Sequence, residues 1–295
     1  MTSTIRVAGL FVHPIKSAAA IAVDAMTLDD RGAIADRRWL VVDRDGLQIT
    51  ARETPALAMV RQGFVDSGPR EGTEASPRAT VTENIDGALW VETRTHARIR
   101  IDIPTTPSTR PVIVWNDTLD AHDAGDAAAA WFSDVLERDC RVVRIAESAR
   151  RPLRAKFAGR LDRSLRRVAF SDGAPLLVLG QASVDALSER VVEQGGEAMI
   201  SARFRPNILL SHTTPHQEDS WRAIRIGDVT FEFGQPCSRC VMTTIDPHTG
   251  ERGVEPLKTL ATYRRHDGQV MFGMNVTNVG LGTIRVGDVV HLLDE

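Results

Sequence analysis

A short pattern, a β-rich run that ends in Gly-Asp, occurs twice in the last third of the chain. It spans residues 224–229 (IRIGDV) and residues 284–289 (IRVGDV). Glycine at a tight turn between β-rich runs is typical of a hairpin, so two similar hairpins are predicted. Two copies are too few to indicate a repeat architecture. Short strands joined by glycine-containing turns favour a mostly-β barrel with a few helices.

Two of the three cysteines, Cys237 and Cys240, lie three residues apart directly after the first predicted hairpin. This places them where a strand runs into a loop, and Arg239 between them favours the thiolate form. A structural zinc site needs a second pair of Cys or His, whereas Cys140 is isolated and the eight histidines are scattered. A thioredoxin-type pair lies at the start of a helix, whereas residues 241–245 are β-rich. Two buried, inert thiols in a barrel are the simplest alternative.

Length and composition limit the class of protein. A chain of 295 residues forms one large or two modest domains, and 42% hydrophobic with 25% charged residues is typical of a soluble globular protein. A net charge of −3 gives no global basic field for nucleic acid. Three cysteines do not form a secreted disulfide framework. The chain has no apolar run of signal-peptide or membrane-spanning length, so a cytoplasmic protein without a membrane partner is expected.

Residues 5–12 form a β-rich run that stops at His13 and Pro14. Proline lacks an N–H donor and favours an extended approach, so Lys16 and Ser17 are predicted to follow a strand end. Strand ends are common locations of ligand contacts. Taken alone, however, Lys16 is more typical of a solvated surface lysine.

Residues 37–43 and 47–51 flank an Arg-Asp-Gly turn and predict another hairpin, which Arg37 and Arg52 bracket. Either arginine is placed to reach an anion, or to pair with a nearby carboxylate as arginines on hairpins usually do. A polar loop is predicted at residues 66–79, and three more strands are predicted after it, at residues 79–82, 88–91 and 97–101.

Two helices are predicted from apolar residues at helical spacing. Residues 126–137 begin with Asp126 as the expected N-cap and carry apolar pairs at i, i+4. Residues 183–194 place their apolar residues on one face and stop at Gly195. Cys140 follows the first helix and is interpreted as a packing residue, because nothing polar is patterned around it.

Residues 150–167 carry eight basic side chains and one acidic side chain. In a chain of negative net charge, this local excess could dock an acidic redox partner or help to hold a phosphate. A solvated loop is an equally supported alternative. Nucleic acid is less favoured, because aromatic residues that could stack on bases are sparse in this segment.

Three further polar residues lie beside predicted strands. Asp172 precedes the buried-type strand 174–179, and Arg205 and Asn207 precede the β-rich run 208–210. Taken alone, Asp172 and Asn207 are typical turn residues and Arg205 is typical of a surface ion pair.

A set of motifs nevertheless resembles a known family. Residues 236–247 (PCSRCVMTTIDP) and 255–264 (EPLKTLATYR) resemble the core of the MOSC domain, and more closely the branch that contains the mitochondrial amidoxime reducing component and its bacterial YcbX-type relatives. The resemblance covers nearly the whole chain, since five more blocks occur in the expected order: His13–Ser17, Asp36–Trp39, Phe170–Asp172, Phe204–Ile208 and Glu218–Trp221.

The resemblance implies a mainly β (α+β) fold in two parts. An N-terminal β-barrel domain is expected at residues 1–120. A MOSC domain, which starts with a helix and continues as a barrel, is expected at residues 121–295.

The resemblance also implies a bound molybdenum cofactor (Mo-molybdopterin), in which a pyranopterin dithiolene holds molybdenum and the tail ends in phosphate. Cys240 is the implied metal ligand, since a soft thiolate suits a redox-active metal, and Cys237 has a supporting role. Cys240, Asp172 and Asn207 are the implied catalytic residues, the last two on the substrate side. The cationic and hydroxyl donors that suit a pterin phosphate are Lys16, Ser17, Arg37, Arg205, Ser238 and Arg239. At the family level the resemblance also carries the term pyridoxal phosphate binding.

The implied activity is the two-electron reduction of N-oxygenated small molecules such as hydroxylamines and amidoximes. Some bacterial relatives append a ferredoxin-like domain, for which this chain has neither room nor cysteines. Electrons are therefore expected from a separate flavoprotein, ferredoxin or small cytochrome. The membrane anchor of the mitochondrial relatives is also absent from the sequence.

A sulfur carrier that holds a persulfide on Cys240 is the rival function, and a barrel with inert thiols is a third. Fold alone does not separate these functions. The predicted cationic grip of Lys16, Arg37 and Arg205 favours the reductase, because a simple persulfide carrier has no clear use for it.

Overall fold

The computed structural model describes residues 4–65, 87–157 and 166–293. The predicted loop at residues 66–79 and the predicted strand at 79–82 lie outside these ranges. Within them, the strands are β1 Arg6–Val12, β2 Ile21–Val23, β3 Ala25–Asp29, β4 Gly32–Ala33, β5 Trp39–Val42, β6 Arg61–Phe64, β7 Leu89–Glu92, β8 Ile99–Ile101, β9 Arg110–Val114, β10 Asp117–Asp123, β11 Arg141–Ile145, β12 Leu176–Gly180, β13 Ile208–Ser211, β14 Ala223–Ile226, β15 Val229–Ser238, β16 Arg265–His266, β17 Gln269–Asn278, β18 Gly282–Arg285 and β19 Val290–Leu292. The α-helices are α1 Asp126–Leu136, α2 Gln181–Glu193 and α3 Leu257–Tyr263. The expected mainly β fold with a few helices is confirmed.

The largest sheet contains strands from both ends of the chain. Its order is β19-β14-β15-β17-β12-β13-β1-β2, with β16 paired to β17. β12 and β13 are parallel, with Val178 opposite Ile208. The other pairs in this sheet are antiparallel, including β1 with β13 and β15 with β17. The N-terminal strands β1 and β2 are therefore built into the same sheet as the strand that carries Cys237.

Three smaller sheets complete the described strands: β5-β11-β10-β9, β18-β3-β4 and β6-β7-β8. Strand β10 continues across residue 120, where the sequence analysis placed the boundary between two domains. That division stays a prediction.

Strand β5 shows how the core is shared between layers. All four of its residues are buried. Because successive side chains of a strand point to opposite faces, Trp39 and Val41 pack in the main apolar cluster, while Leu40 and Val42 pack in a second one. A strand buried on both faces reads as a continuous apolar run, as this one does.

The first predicted hairpin is confirmed, and the second is wrong. β14 pairs with β15 around Gly227, whose φ is 55°. At the second copy, β18 pairs with β3, whereas β19 pairs with β14. The backbone of Val7 in β1 exchanges hydrogen bonds with Gly287 and Asp288. The turn between β18 and β19 therefore pairs with β1, and β18 and β19 do not pair with each other.

Both helices are found where predicted, with differences at their starts. The N-cap of α1 is Gly125 and not Asp126. Asp126 is already the first helical residue, and its exposed carboxylate instead pairs with the Arg141 guanidinium at 2.8 Å. The α2 helix starts at Gln181, two residues earlier than predicted. Cys140 is buried in the main apolar cluster, which confirms it as a packing residue.

The β-rich run at residues 241–245 is not a strand. Residues Val241–Thr244 form a short 3-10 helix. The Thr243 hydroxyl donates to the Cys240 carbonyl at 3.0 Å, and the Thr244 hydroxyl donates to the Val241 carbonyl at 2.8 Å. These local side-chain hydrogen bonds satisfy the backbone and outweigh the β propensity of the run.

Candidate functional site

One pocket brings together all the residues that the sequence analysis assigned to the site. They come from five separate stretches of the chain: Lys16, Ser17, Arg37, Asp172, Arg205, Asn207, Ser238, Arg239 and Cys240. Cys237 and Arg52 line the same space, which we call the Cys240 pocket. The structure thus places the predicted residues in one site, while their individual roles stay predictions.

The strand order of the large sheet explains why these loops meet. β1 runs antiparallel to β13, so the end of β1 lies beside the start of β13. β12 runs parallel to β13, so their starts lie together. The loop after β1 carries Lys16 and Ser17, and the loops before β12 and β13 carry Asp172, Arg205 and Asn207. Non-local strand pairing therefore gathers these side chains at one edge of the sheet.

The cysteine loop reaches the pocket because the end of β15 is irregular. Its pairing with β17 shifts register between Phe233 and Pro236, and again between Pro236 and Ser238. Such bulges bend a strand and redirect its side chains. Cys237, at the irregular end of β15, and Cys240, just after the strand, are both free and partly exposed.

Asp172 is the acidic centre of the pocket, and three side-chain donors surround its carboxylate. The Lys16 Nζ lies 2.7 Å from Oδ1, and the Arg52 Nη2 lies 2.6 Å from Oδ2. The Trp115 Nε1 also donates to Oδ1, at 3.1 Å. Removal from water alone raises the pKa of Asp172, but Lys16 and Arg52 outweigh it and hold this pKa well below its usual range. The carboxyl is therefore ionised at neutral pH, with its side chain 49% exposed toward solvent.

Lys16 lies deeper than Asp172. Its side chain is almost buried, and its Nζ donates to the Gln48 Oε1 at 2.8 Å as well as to Asp172. Burial lowers the pKa of Lys16 to about 8, against the opposing effect of Asp172. A lysine this deep is retained as a cation by its carboxylate partner and is not a solvated surface lysine.

Arg52 connects Asp172 to the cysteine. Its Nε donates to the Cys240 Sγ at 3.2 Å, while its Nη2 binds Asp172. The guanidinium also lies over the Trp115 ring, 4.7 Å from the ring centroid. One planar group thus contacts the thiol sulfur, the carboxylate and the indole at once.

Asn207 is fully buried, and its amide is engaged by protein groups. Its Oδ1 accepts from the Leu177 N–H at 3.1 Å and from the Arg37 Nη1 at 3.2 Å, and its Nδ2 donates to the Phe11 carbonyl at 3.1 Å. Arg37 donates in turn to Asp36, which also accepts from the His13 N–H. Asn207 therefore fixes the starts of two strands and the orientation of Arg37.

Two arginines of the pocket, Arg205 and Arg239, each keep one buried guanidinium nitrogen without a hydrogen-bond partner in the described part of the chain. Arg205 donates through Nη1 to the Ala18 carbonyl, and Arg239 donates through Nε and Nη1 to the carbonyls of Phe272 and Phe204. The Nη2 of each arginine is buried and has no hydrogen-bond partner among the described residues. An unsatisfied buried donor is unfavourable, and an anion oxygen is the partner that a guanidinium fits best.

The charge of the pocket lining agrees with an anionic ligand. Among the described residues, its charged side chains are one carboxylate, that of Asp172, and six cations: Lys16, Arg37, Arg52, Arg203, Arg205 and Arg239.

Ser17, Arg37 and Arg205 have left-handed backbones, with φ of 72°, 50° and 55°. Non-glycine residues in this region tend to occur at functional sites. The donors fit a phosphate-bearing cofactor, and Cys240 offers a soft metal ligand beside them.

Within its described part, the basic segment is tied to the body of the protein. Arg151 is buried, and it donates to the carboxylate of Asp117 and to the carbonyls of Ala169 and Ser171. Arg167 pairs with Asp30 at 2.5 Å. Arg151 therefore anchors the loop that carries Asp172. The rest of the segment, residues 158–165, lies outside the described residues.

Sequence reasoning missed the role of two residues in this site. Arg52 was predicted to reach an anion or a nearby carboxylate, without a named partner, and the structure shows that the carboxylate is that of Asp172. Trp115 was not singled out. Trp115 lies in the tight turn between β9 and β10 with φ of 59°, where a bulky aromatic residue is unusual. That turn was the available signal for Trp115. No local pattern relates Arg52 to Cys240, which is 188 residues away.

Comparisons with known proteins identify related domains and chains. The chain matches the family models described as MOSC N-terminal beta barrel domain, over residues 4–139, and MOSC domain, over residues 165–291. Mitochondrial amidoxime-reducing component 1 of Homo sapiens is 32% identical, over 98% of this chain and 83% of that protein. The protein of the same name from Mus musculus is 33% identical, over 98% of this chain and 82% of its own length.

A relative with a different name matches as well. Molybdenum cofactor sulfurase of Oryza sativa subsp. japonica is 27% identical over 92% of this chain, but the match covers only 32% of that protein. No helix in residues 4–65, 87–157 or 166–293 is long and apolar enough to cross a membrane. The two domain matches and the relatives above 30% identity show that this chain belongs to the MOSC-domain family, in the branch of the mitochondrial amidoxime-reducing components.

Proposed function

We propose that this protein is a molybdenum-cofactor-dependent reductase of N-oxygenated small molecules such as hydroxylamines and amidoximes. The observation that carries the proposal is the pairing of two unused guanidinium donors, on Arg205 and Arg239, with a partly exposed thiol, Cys240, in one cationic pocket. The family and its relatives support a function related to the molybdenum cofactor. The choice of reduction as the activity is our inference from the site.

The cofactor's phosphate is assigned to the cationic and hydroxyl side of the pocket. Arg205 and Arg239 supply the free Nη2 donors, and Ser17, Arg37 and Ser238 lie in the same lining. Charge-assisted hydrogen bonds from guanidinium to phosphate are stronger than neutral ones, and their fixed geometry orients the bound group. Cys240 is assigned as the protein ligand of the metal, since soft thiolates suit redox-active metals. When bound, the cofactor supplies the two-electron redox chemistry, and the protein supplies position and electrostatics.

Asp172 is assigned to the substrate side. Its carboxylate is ionised and half-exposed at the edge of the pocket, so it can accept a hydrogen bond from the N–H or O–H of a hydroxylamine or amidoxime. Lys16 and Arg52 fix its orientation before a substrate arrives. Asn207 is buried and fully engaged, so its part in the reaction is to position Arg37 and the strand starts.

The overall reaction converts one hydroxylamine, two electrons and two protons into one amine and one water. The N–O bond is broken, the nitrogen is reduced and gains a hydrogen, and the oxygen leaves in water. We propose that a separate redox protein, a flavoprotein, ferredoxin or small cytochrome, delivers the electrons, and that solvent supplies the protons through the open side of the pocket. We further propose a reducing location, the cytoplasm, in which the Cys240 thiol stays available for the metal.

A sulfur carrier is the second candidate, and the similarity to a molybdenum cofactor sulfurase favours it. In this function Cys240 carries a terminal sulfur as a persulfide. Its thiol is partly exposed, so a sulfur donor could reach it. This candidate gives no account of the unused donors on Arg205 and Arg239.

The test is anaerobic reduction of an amidoxime by the loaded protein. Benzamidoxime is supplied with dithionite-reduced methyl viologen as the electron source, and benzamidine is measured. The reductase predicts turnover that Cys240→Ser abolishes. Absence of both molybdenum and turnover in protein from a host that makes the cofactor, together with a persulfide on Cys240 by mass spectrometry, would instead support the sulfur carrier.

A further inference from the structure

The Arg52 side chain lies between the cysteine and the acidic residue of the pocket. We propose that Arg52 is a positioning residue that hydrogen-bonds the metal-binding sulfur of Cys240 and thereby raises the reduction potential of the metal bound there. This inference rests on the proposed function, because it takes Cys240 as the metal ligand. It assigns to Arg52 a role that neither the motifs nor the comparisons give.

Four contacts fix this residue in place. Nε donates to the Cys240 Sγ at 3.2 Å, and Nη2 donates to the Asp172 Oδ2 at 2.6 Å. The guanidinium also lies 4.7 Å from the centroid of the Trp115 ring. The backbone is held too, because the Arg252 Nη2 donates to the Arg52 carbonyl at 2.7 Å. Arginine side chains are long and flexible, and a single surface ion pair holds them only weakly. Four contacts hold Arg52 in one geometry.

The shape of the guanidinium explains why the residue is an arginine. Nε and Nη2 are two donors of one rigid, planar fork, and Arg52 uses them on two different partners. A lysine has a single point donor on a flexible stem and cannot hold both partners in a fixed geometry. Arg52 therefore sets the position of the sulfur relative to the Asp172 carboxylate, on which the substrate is proposed to bind.

A hydrogen bond and a positive charge at a ligating sulfur also change the metal. Both withdraw electron density from the sulfur and favour the more electron-rich, reduced state, so they raise the reduction potential. The side chain of Arg52 is 23% exposed, which keeps the charge close to the sulfur and only partly screened by water. Loss of Arg52 is therefore expected to make the bound metal harder to reduce.

The Trp115 indole keeps the guanidinium in this plane. It contacts Arg52 through its ring face and Asp172 through its Nε1. Trp115→Phe retains a smaller aromatic face and removes the N–H donor. We expect Trp115→Phe to preserve the contact between Arg52 and Cys240. It therefore serves as a control that alters a neighbour of Arg52 without removing Arg52 itself.

The contact itself can be tested in protein without cofactor. Melting temperatures are measured for wild type, Arg52→Gln, Cys240→Ala and the double variant. If the two side chains interact, the double variant loses less than the sum of the two single losses. Additive losses would show that the contact does not form, and would overturn the proposal. Arg44→Gln removes a charge from an exposed ion pair near the protein surface and is expected to leave the melting temperature unchanged.

The effect on the metal is tested in loaded protein. Molybdenum content is measured first, and the reduction potential of the metal is then measured by a redox titration monitored by electron paramagnetic resonance. Arg52→Gln is expected to lower the potential, Arg52→Lys to recover part of the change, and Arg44→Gln to leave it at the wild-type value. A structural role alone would change the stability and leave the potential unchanged.

The outcomes separate this inference from the proposed function. Molybdenum-containing wild type and Arg52→Gln proteins with equal potentials would overturn the inference and leave the reductase standing. Wild type without molybdenum, from a host that makes the cofactor, would overturn the reductase and this inference with it. A lower potential in Arg52→Gln with partial recovery in Arg52→Lys supports both.

Discussion

The Lys16 Nζ lies 2.7 Å from the Asp172 Oδ1, although the two residues come from loops after β1 and before β12. Lys16 is almost buried, while the Asp172 carboxylate is half-exposed. The cation is thus retained inside the protein by an anion that faces the pocket opening. Arg52 holds the second carboxylate oxygen, and the carboxylate is consequently fixed and ionised beside Cys240.

Replacement of the Asp172 carboxylate should lower the rate of the reaction more than it weakens cofactor binding. Asp172→Asn leaves the Lys16 and Arg52 cations without their counter-charge and removes the proposed anionic acceptor for substrate. A hydrogen bond to a charged group contributes about 1.5–3 kcal/mol, so kcat/KM for an amidoxime is expected to fall about 10- to 100-fold. Molybdenum content should change much less. Asp120→Asn, at an exposed position on β10, is the control, and equal kcat/KM in both variants would contradict the assignment of Asp172.

If the unpaired Nη2 groups of Arg205 and Arg239 bind the cofactor, they contribute to the difference in melting temperature between cofactor-free and loaded protein. The proposed cofactor is expected to raise the melting temperature of wild type, because a ligand that binds only the folded state stabilises it. Arg205→Gln and Arg239→Gln each remove one buried Nη2 donor and should reduce this rise, with affinity lower by about 10- to 100-fold. Arg100→Gln removes an exposed cation and should keep the full rise. A full rise in all three variants would exclude the two arginines from the cofactor site.

The buried pair of His13 and Asp36, next to Arg37, predicts how the free energy of unfolding depends on pH. Burial, with Arg205 and Arg37 nearby, lowers the pKa of His13 to about 3. Burial opposes ionisation of Asp36, but Arg37 and His13 outweigh it and lower the pKa of Asp36 to about 2. Between pH 6.5 and about 3, the unfolded chain therefore binds one more proton at His13 than the folded chain does. Stability from this group is fully present above pH 6.5 and is lost as the pH falls, by about 1.4 kcal/mol per pH unit for one proton.

Urea unfolding at pH 7, 6 and 5 measures this slope. His13→Gln removes the titrating group, so its free energy of unfolding should vary less across this range than that of wild type. The Asp36 contribution is lost only below its ordinary pKa, so it does not interfere above pH 5. Equal slopes in wild type and variant would refute the buried, neutral His13.

A close approach beside the cysteine loop gives a prediction about packing. A Cβ added at Gly234 would lie 2.8 Å from the backbone of Phe157. Gly234→Ala should therefore displace β15 or residues 155–157, with a loss of about 1–3 kcal/mol in the free energy of unfolding. Gly280→Ala is the matched control, since nothing lies within 4 Å of the added Cβ. A loss no larger than that of the control would argue against the contact between Phe157 and β15.

The sequence was sufficient for the parts of this molecule that local patterns determine. Apolar spacing located α1 and α2, and the glycine turn at Gly227 located the hairpin of β14 and β15. Motif blocks in a fixed order supplied the fold class and the set of residues that line the pocket.

Other features depend on partners that are distant in the chain. The second Gly-Asp turn, at Gly287, connects two different sheets because the start of β1 pairs there. Arg52 meets Asp172 across 120 residues and Cys240 across 188, and no periodicity carries that information. The unused donors on Arg205 and Arg239 were also inaccessible to sequence reasoning, because an unpaired nitrogen is defined by everything packed around it.

The central claim is that Cys240 holds a molybdenum cofactor whose phosphate is bound by the arginines of the pocket. The most direct measurement is molybdenum by inductively coupled plasma mass spectrometry, together with pterin released on denaturation, for wild type and Cys240→Ser made in a host that supplies the cofactor. The account predicts near-stoichiometric molybdenum and pterin in wild type, with retained pterin and reduced or altered metal binding in Cys240→Ser. Wild-type protein with neither molybdenum nor pterin would contradict it.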